Sequence, residues 1–335
     1  MRYLFLLNPA AGRQDSSGQL LPALEAALAR AGIAPEQAMI QRTAFAGHAR
    51  GLVQAAAQRA AQEGEDLRVY TAGGDGTLSE ALSGACPYPN AAVGCLPYGS
   101  GNDFLRSFGA REEFLDLDAQ LAGGVVPIDL METSLGLSAT ICAAGLDAQV
   151  ACGIPKFRRL PFCGGEMAYL LSIAEQVVGP LGRGLRVEID GEVLEENCLM
   201  CAVCNGRAYG GGFMAAPEAA LDDGWLDVFI IRAVGRLTIA KMLGIYKKGR
   251  HFRQGHLTEK AEPYFIYRRA RQVSLCPVDG RGPIAATADG ECAELDSLAV
   301  RVRPLAGRII LPGPVYSRFE EQKTVLAGED LIPRE

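Results

Sequence analysis

Three short apolar runs in the first third of the chain each give way abruptly to a polar, glycine-bearing loop. RYLFLL runs into Asn8-Pro9-Ala10-Ala11-Gly12-Arg13, LRVYTA into Gly73-Gly74-Asp75-Gly76-Thr77, and AAVGCLP into Tyr98-Gly99-Ser100-Gly101-Asn102-Asp103-Phe104. Between them lie stretches of helical periodicity: SGQLLPALEAALARAG, with apolar Leu20, Leu21, Leu24 and Leu28, a second from about Ala46 to Gln62, and LSEALSGA. Strand and helix in alternation imply a parallel sheet wrapped by helices. In such a sheet all three loops emerge at the carboxyl ends of the strands, the edge where ligands bind.

From about Val126 the texture changes to short strand-like runs, VVPIDLMET, SATICAAG, LRVEIDGEVLE, NCLMCAVCN, GWLDVFIIR, YFIYRRA, QVSLCPVDG and LAVRVRP. Turns at Asp190-Gly191 and Asp279-Gly280 read as hairpin dipeptides. Helices are predicted over GEMAYLLSIAEQVV and VGRLTIAKMLGIYKKG. The expected architecture is an α/β N-terminal domain with a parallel sheet over residues 1–125, a mainly antiparallel β-sandwich over 126–312, and a polar extension over 313–335.

The chain has 335 residues, 49% hydrophobic and 21% charged, the balance of a folded soluble protein rather than a disordered or fibrous one. Its formal net charge of −6 excludes a general basic field for nucleic acid, so an anionic ligand must be gripped locally. The start, MRYLFLLNPAAG, is too short in apolar residues for a signal peptide, and Asp129 and Glu132 interrupt the longest apolar candidate for a span. A cytoplasmic, reducing setting is therefore expected, and the ten cysteines read as free thiols. Cys198, Cys201 and Cys204 have metal-like spacing but lie in a strand, which is expected to send Cys198 and Cys204 to one face and Cys201 to the other. His48, His251 and His256 lack the pairing of a metal motif.

Gly73 to Thr77 supplies what a phosphate needs: glycines that let backbone approach closely, and the free amides of a helix start. It is not a Walker A loop, because no Gly-Lys-Ser or Gly-Lys-Thr closes it. It lacks the third glycine of a dinucleotide fingerprint too, which weakens a dehydrogenase reading. Each loop by itself reads equally as a turn; three on one sheet edge are better explained by a shared nucleotide site.

The trio NPAAG, GGDGT and LPYGSGNDF resembles the catalytic domain shared by diacylglycerol kinases, sphingosine kinases and small bacterial lipid kinases. Asn205-Gly206, Tyr209-Gly210-Gly211-Gly212, Pro217, the Leu221 to Val228 segment and Ala288-Asp289-Gly290-Glu291 are similar to the second-domain signature of the bacterial members. The likeness spans roughly residues 1 to 312. It implies an ATP-dependent, Mg²⁺-requiring lipid kinase whose acceptor is diacylglycerol or a similar lipid. ATP phosphates would meet Gly74, Asp75, Gly76 and Thr77, with Asn8, Gly12, Arg13, Gly99, Ser100, Gly101 and Asn102 completing the cradle. Asp223 would hold a structural magnesium, in a water network shared with Asp103, with carbonyls near Ala220 and Trp225 as further ligands. Asp289 would be the base and Glu291 its acidic partner, and a homodimer is a further implication. Ser100 stands where threonine is commoner in the family. GGDGT-like turns also occur in NAD kinases and phosphofructokinases, so a soluble small-molecule acceptor is the alternative; a nucleotide-binding regulator without catalysis is disfavoured by the intact set of Asp75, Asp223, Asp289 and Glu291.

Two segments, Lys156 to Phe162 and Lys247 to Arg250, mix cations with apolar side chains. They suit either an anionic membrane surface, to which the chain would bind peripherally, or an ordinary solvated loop.

Overall fold

A computed structural model describes residues 1–12, 15, 17–158, 160, 163 and 165–329, with the side chains at 158, 165, 166 and 324–329 left aside. Two compact units are formed, one from residues 1–127 and 307–335, the other from residues 128–306.

The first unit opens with β1 (Arg2–Leu7), α1 (Ser17–Arg30), β2 (Ala38–Arg42), α2 (His48–Gln62), β3 (Leu67–Gly73), α3 (Asp75–Ala85), β4 (Ala91–Pro97) and a short α4 (Leu117–Leu121). Its sheet has the order β2-β1-β3-β4, every pair parallel, and is completed by a late strand described below. β3 and β4 are buried almost throughout, because helices cover both faces. Phe5, Leu7, Tyr70 and Ala72 point to the face covered by α1 and α4, where they meet Leu20, Leu24 and Leu28. Each such leucine contributes about 1.5–3 kcal/mol on burial. α2 and α3 pack against each other closely: a Cβ at Gly84 would fall 2.4 Å from the Arg50 carbonyl oxygen.

The chain leaves this unit in β5 (Gly124–Thr133) and continues through β6 (Gly136–Ser138), β7 (Ile141–Gly145), α5 (Leu146–Arg158), α6 (Gly165–Val178), β8 (Arg183–Ile189), β9 (Glu192–Cys204), β10 (Leu226–Arg232) and α7 (Arg236–Lys247). A two-residue ladder follows, β11 (Phe252–Arg253) with β12 (His256–Leu257), then β13 (Phe265–Ala270), β14 (Gln272–Pro277), β15 (Ile284–Ala288), β16 (Glu291–Leu295), β17 (Leu298–Leu311) and α8 (Gly313–Glu329). β17 pairs antiparallel with β14 in the second unit, and its end, Ile309 and Ile310, pairs parallel with β4 to complete the first.

In the second unit the ladders are antiparallel, and β9 is its spine, pairing β8 along its first half and both β7 and β10 along its second. The apolar side chains divide into two clusters. One, with Val187, Val203, Val228, Val273 and Val300, fills the sandwich. The other lies on the opposite side of β9 and β10, under α5, α6 and α7. The expected fold class, a parallel α/β unit plus an antiparallel sandwich, is thus found.

Several expectations are corrected. Neither β2 nor the helix α5 is among the elements expected from sequence, and the polar extension is helical over Gly313–Glu329: Val315 is 1% exposed and Arg318 pairs with Glu113 at 2.9 Å. The cysteine faces also differ. The β9–β10 register shifts between Ile231 and Arg232, so Leu199 and Met200 fall in one cluster consecutively. Cys198 and Cys201 therefore share the sandwich interior, while Cys204 lies in the other cluster. The three still do not converge, all ten cysteines are free, and burial pushes the Cys198 thiol up to about 12. Asp190-Gly191 joins β8 to β9 as the expected hairpin. Asp279-Gly280 does not, because β14 and β15 pair with other strands; Asp279 instead takes ion pairs from Arg183 and Arg281. No helix among the described residues is long and apolar enough to cross a membrane.

Candidate functional site

The three loops of the first unit meet. Gly99 N–H donates to the Gly73 carbonyl at 2.7 Å, and Asp75 N–H to the Gly101 carbonyl at 3.0 Å, which lays the second loop backbone-to-backbone on the third. A Cβ at Gly99 would fall 2.3 Å from Gly74 Cα, and one at Gly74 would fall 2.7 Å from the Gly101 carbonyl oxygen. Only glycine permits this approach. The first loop joins through Asn8, whose amide donates to Thr77 Oγ1 at 2.9 Å, and through Gly12, in the left-handed region at φ +78°, where a Cβ would fall 2.7 Å from the Tyr98 carbonyl oxygen.

Some predicted contact residues turn out to build the cradle. The Asp75 carboxylate accepts the amides of Asp103 (2.9 Å) and Phe104 (3.2 Å), so it staples the third loop to the start of α3. Asn8 Oδ1 accepts the Ala10 amide, closing its own turn. Asn102 Nδ2 donates to the Gly99 carbonyl, whereas its buried Oδ1 has no partner among the described residues. Gly76 is exposed in the first turn of α3, with nothing within 4 Å of a Cβ placed there. Helix-start amides and the positive end of the helix dipole lie at this point, a surface shaped for phosphate. Arg13 lies outside the described residues.

The predicted acidic residues divide between the units. Asp103 belongs to the first, 5% exposed and paired with Arg106 at 3.0 Å. Asp223, Asp289 and Glu291 belong to the second, as does Trp225. Asp289 opens the β15–β16 hairpin at φ +46°, and its carboxylate accepts three amides, from Ala139 (2.6 Å), Thr140 (3.1 Å) and Ile141 (3.1 Å). A carboxylate offers about four acceptor positions, so about one remains. Glu291 is exposed on the following strand.

Asp223 accepts the Trp225 amide at 3.0 Å and an ion pair from Arg269, while Arg271 stacks over the Trp225 ring at 4.6 Å. Burial pushes its carboxyl up, against the lowering effect of those two partners. Among the described residues no three His, Cys, Asp or Glu side chains group as a metal site. A cation held at Asp223 would therefore need backbone carbonyls of the 220–225 turn, which begins at half-buried Ala220. The donors on offer are all oxygen and fit Mg²⁺ in kind.

Two residues that tie this region together were not assigned a role from sequence. Asp129, 0% exposed, accepts the amides of Gly224 and Leu305, each at 2.7 Å, and burial raises its pKa. Asn205 donates to the carbonyls of Asp129 (2.9 Å) and Ala139 (2.8 Å), which links the Asp223 turn to the corner that grips Asp289. The only sequence signal for Asp129 is a lone carboxylate inside an apolar run.

The second unit also holds a cavity of about 80 Å³ with mostly apolar walls, among them Val150 of α5, Ile173 of α6, and Ile239 and Met242 of α7. Its polar end is Asp147, which accepts the Tyr169 hydroxyl at 3.0 Å, beside Tyr209 and Tyr246, whose hydroxyls lie 3.3 Å apart. Burial pushes the Asp147 carboxyl up to about 6. His251 is a core residue: its ring stacks on Phe265, its Nε2 meets the Ala215 carbonyl, and burial lowers its pKa to about 4.

Two family models match the chain, the diacylglycerol kinase catalytic domain over residues 2–133 and the YegS C-terminal NAD kinase beta sandwich-like domain over residues 140–311. The chain is 26% identical over 277 residues to the diacylglycerol kinase of Bacillus subtilis (strain 168), covering 82% of this chain and 85% of that protein. It is equally identical over 276 residues to the diacylglycerol kinase of Staphylococcus aureus (strain MRSA252), covering 82% of each. Among solved structures, a diacylglycerol kinase from Bacillus anthracis str. Sterne shares the fold with a TM-score of 0.63 at 18% identity, covering 94% of this chain and 98% of the other. A second structure from that organism gives a TM-score of 0.69 at 21% identity, covering 92% and 96%.

Proposed function

We propose, from the premise that this chain belongs to the diacylglycerol kinase catalytic-domain family, that it transfers the γ-phosphoryl group of ATP to a hydroxyl of diacylglycerol or a similar lipid. The observation that carries this reading is the convergence of the three glycine loops on the first turn of α3. Phosphoryl transfer has a loose transition state, so it depends on in-line positioning and charge neutralisation more than on a strong base. A backbone cradle that costs no reorganisation supplies both. In it Gly12, Gly74, Gly76, Thr77, Gly99, Ser100 and Gly101 would take the phosphates, with Asn8 and Asp75 holding the loops. The unpartnered Asn102 Oδ1 suits a hydroxyl or a water donor. Mg²⁺ bound with ATP would neutralise phosphate charge, while Asp223, with the carbonyls near Ala220 and Trp225, would hold the structural Mg²⁺ of the second unit.

On the acceptor side, Asp289 would take the hydroxyl proton late in the transfer, at the position its three amide donors leave over. Those amides fix the orientation of the carboxylate, and Glu291 stands beside it in sequence as an acidic neighbour. The cavity under α5, α6 and α7 is apolar but, at about 80 Å³, has room for only a few methylene groups, so the preference for a lipid acceptor rests on the family.

The test is a panel of acceptors incubated with ATP and Mg²⁺, with mass detection of product. Diacylglycerol, monoacylglycerol, a long-chain base and NAD would cover the lipid and soluble readings. A phosphorylated lipid is expected, and Asp289→Asn should lower turnover about a hundredfold or more while nucleotide affinity persists. Phosphorylation of NAD alone would transfer the chain to the soluble reading, and full turnover by Asp289→Asn would remove Asp289 from the mechanism.

A further inference from the structure

Helix α7 carries a charge pattern at odds with the rest of the molecule. The chain has a net charge of −6, yet no Asp or Glu occurs between Asp227 and Glu259, a stretch that holds Arg232, Arg236, Lys241, Lys247, Lys248, Arg250 and Arg253. One face of α7, with Ile239, Met242 and Tyr246, lines the apolar cavity. Leu237, Lys241, Gly244 and Lys248 follow one another at helical spacing and are all exposed. Among the described residues Lys241, Lys248 and Arg250 have no ion-pair partner, and Glu175, an exposed carboxylate of neighbouring α6, is already paired with Lys156.

The same region exposes the two largest fractions of apolar side chain found among the described residues, Leu237 at 80% and Val178 at 77%. They are not loose ends. Arg236 donates to the carbonyls of Val177, Val178 and Gly179, each at 2.9 Å, and so clamps the end of α6 to the start of α7. The two helix ends that carry these apolar side chains are thereby joined, on helices that wall the cavity, and α7 continues from Leu237 to the exposed Lys241.

We propose that this face of α6 and α7 is a docking surface for an anionic phospholipid membrane, with Leu237 and Val178 entering the interface and Lys241 and Lys248 meeting headgroup phosphate. The inference rests on the lipid-kinase reading for its purpose, since an acceptor dissolved in a bilayer must be met at the bilayer. Its physical basis is independent. At physiological salt, charges more than about 8 Å away are screened, so a local basic face can bind an anionic surface that the whole acidic molecule would avoid. Each cation near such a surface contributes about a fivefold gain in partitioning.

The experiment uses the full chain without ATP or acceptor, co-sedimented with vesicles of phosphatidylglycerol or of phosphatidylcholine. Binding to the anionic vesicles is expected, reduced by 0.5 M salt on the order of Debye screening, with little binding to the neutral ones. Lys241→Glu/Lys248→Glu should lower partitioning about 30-fold or more, and Leu237→Ser/Val178→Ser should lower it with unchanged charge. Arg50→Glu/Arg59→Glu on α2 makes the same charge change in the other unit and should leave binding intact. Thermal unfolding of each variant separates lost docking from lost fold. Equal binding by wild type and the folded α7 variants, equal loss in the α2 control, or no binding to either vesicle would overturn the proposal, the last result pointing to a protein partner for this face. Because no turnover is measured, failure here leaves the kinase reading standing.

Discussion

Gly76 and Gly99 occupy the same cradle and answer to different constraints. At Gly99 a methyl would collide with Gly74 backbone at 2.3 Å, so Gly99→Ala should force the second and third loops apart, costing about 1–3 kcal/mol of stability together with nucleotide binding. At Gly76 a methyl meets nothing, and alanine improves helix propensity by about 1 kcal/mol. Gly76→Ala should therefore fold as well as wild type or better, yet bind ATP about tenfold or more weakly, because the added Cβ stands where phosphate would lie. Thermal melts alongside titration with a fluorescent ATP analogue distinguish the two; a Gly76→Ala variant that binds normally would move the phosphates elsewhere. The residues that sequence made legible are those whose chemistry is local, such as glycines at strand ends and the Asp-Gly hairpin of Asp289. Asp129 was not, because its role depends on partners 95 and 176 positions away; Asn205 stood out in the second-domain signature, but its bond to Asp129, 76 positions away, did not.

At the level of elements, strong periodicity was readable and weak periodicity was not. α1, α3 and α6 announce themselves by apolar spacing. β2 has no fully buried residue, so its AMIQR sequence carries little strand signal. α5 follows β7 without a turn, contains Pro155, and begins on a buried carboxylate, all of which blur a helical reading. That carboxylate makes a prediction. Asp147 holds its proton more tightly folded, at about 6, than at its ordinary 3.8, so the native state binds more protons than the unfolded one between those values. The Asp147 contribution to the stability of the second unit should be fully present below about pH 3.8 and fall by roughly 3 kcal/mol as pH rises through 6. In Asp147→Asn that slope should disappear. Denaturant titrations of both proteins at intervals across that range provide the check, and an unchanged slope in the variant would assign the pH dependence to another group.

For the whole molecule, the order of textures along the chain anticipated the two architectures, parallel and helix-covered first, antiparallel second. It did not anticipate that residues 307–335 return to the first unit, because the crossing is made inside one strand, β17, whose sequence is uniform in character on both sides. On the proposed lipid-kinase reading the first unit would bind the nucleotide and the second would supply the acceptor-side carboxylate. The most direct test is to supply ATP bearing three heavy oxygens on its γ-phosphorus, together with Mg²⁺ and vesicles containing diacylglycerol, and to weigh the products. A lipid phosphate monoester carrying all three heavy oxygens is predicted, since the bridging oxygen comes from the acceptor. Heavy label found only in inorganic phosphate or in a water-soluble ester, with the lipid unchanged, would contradict the account.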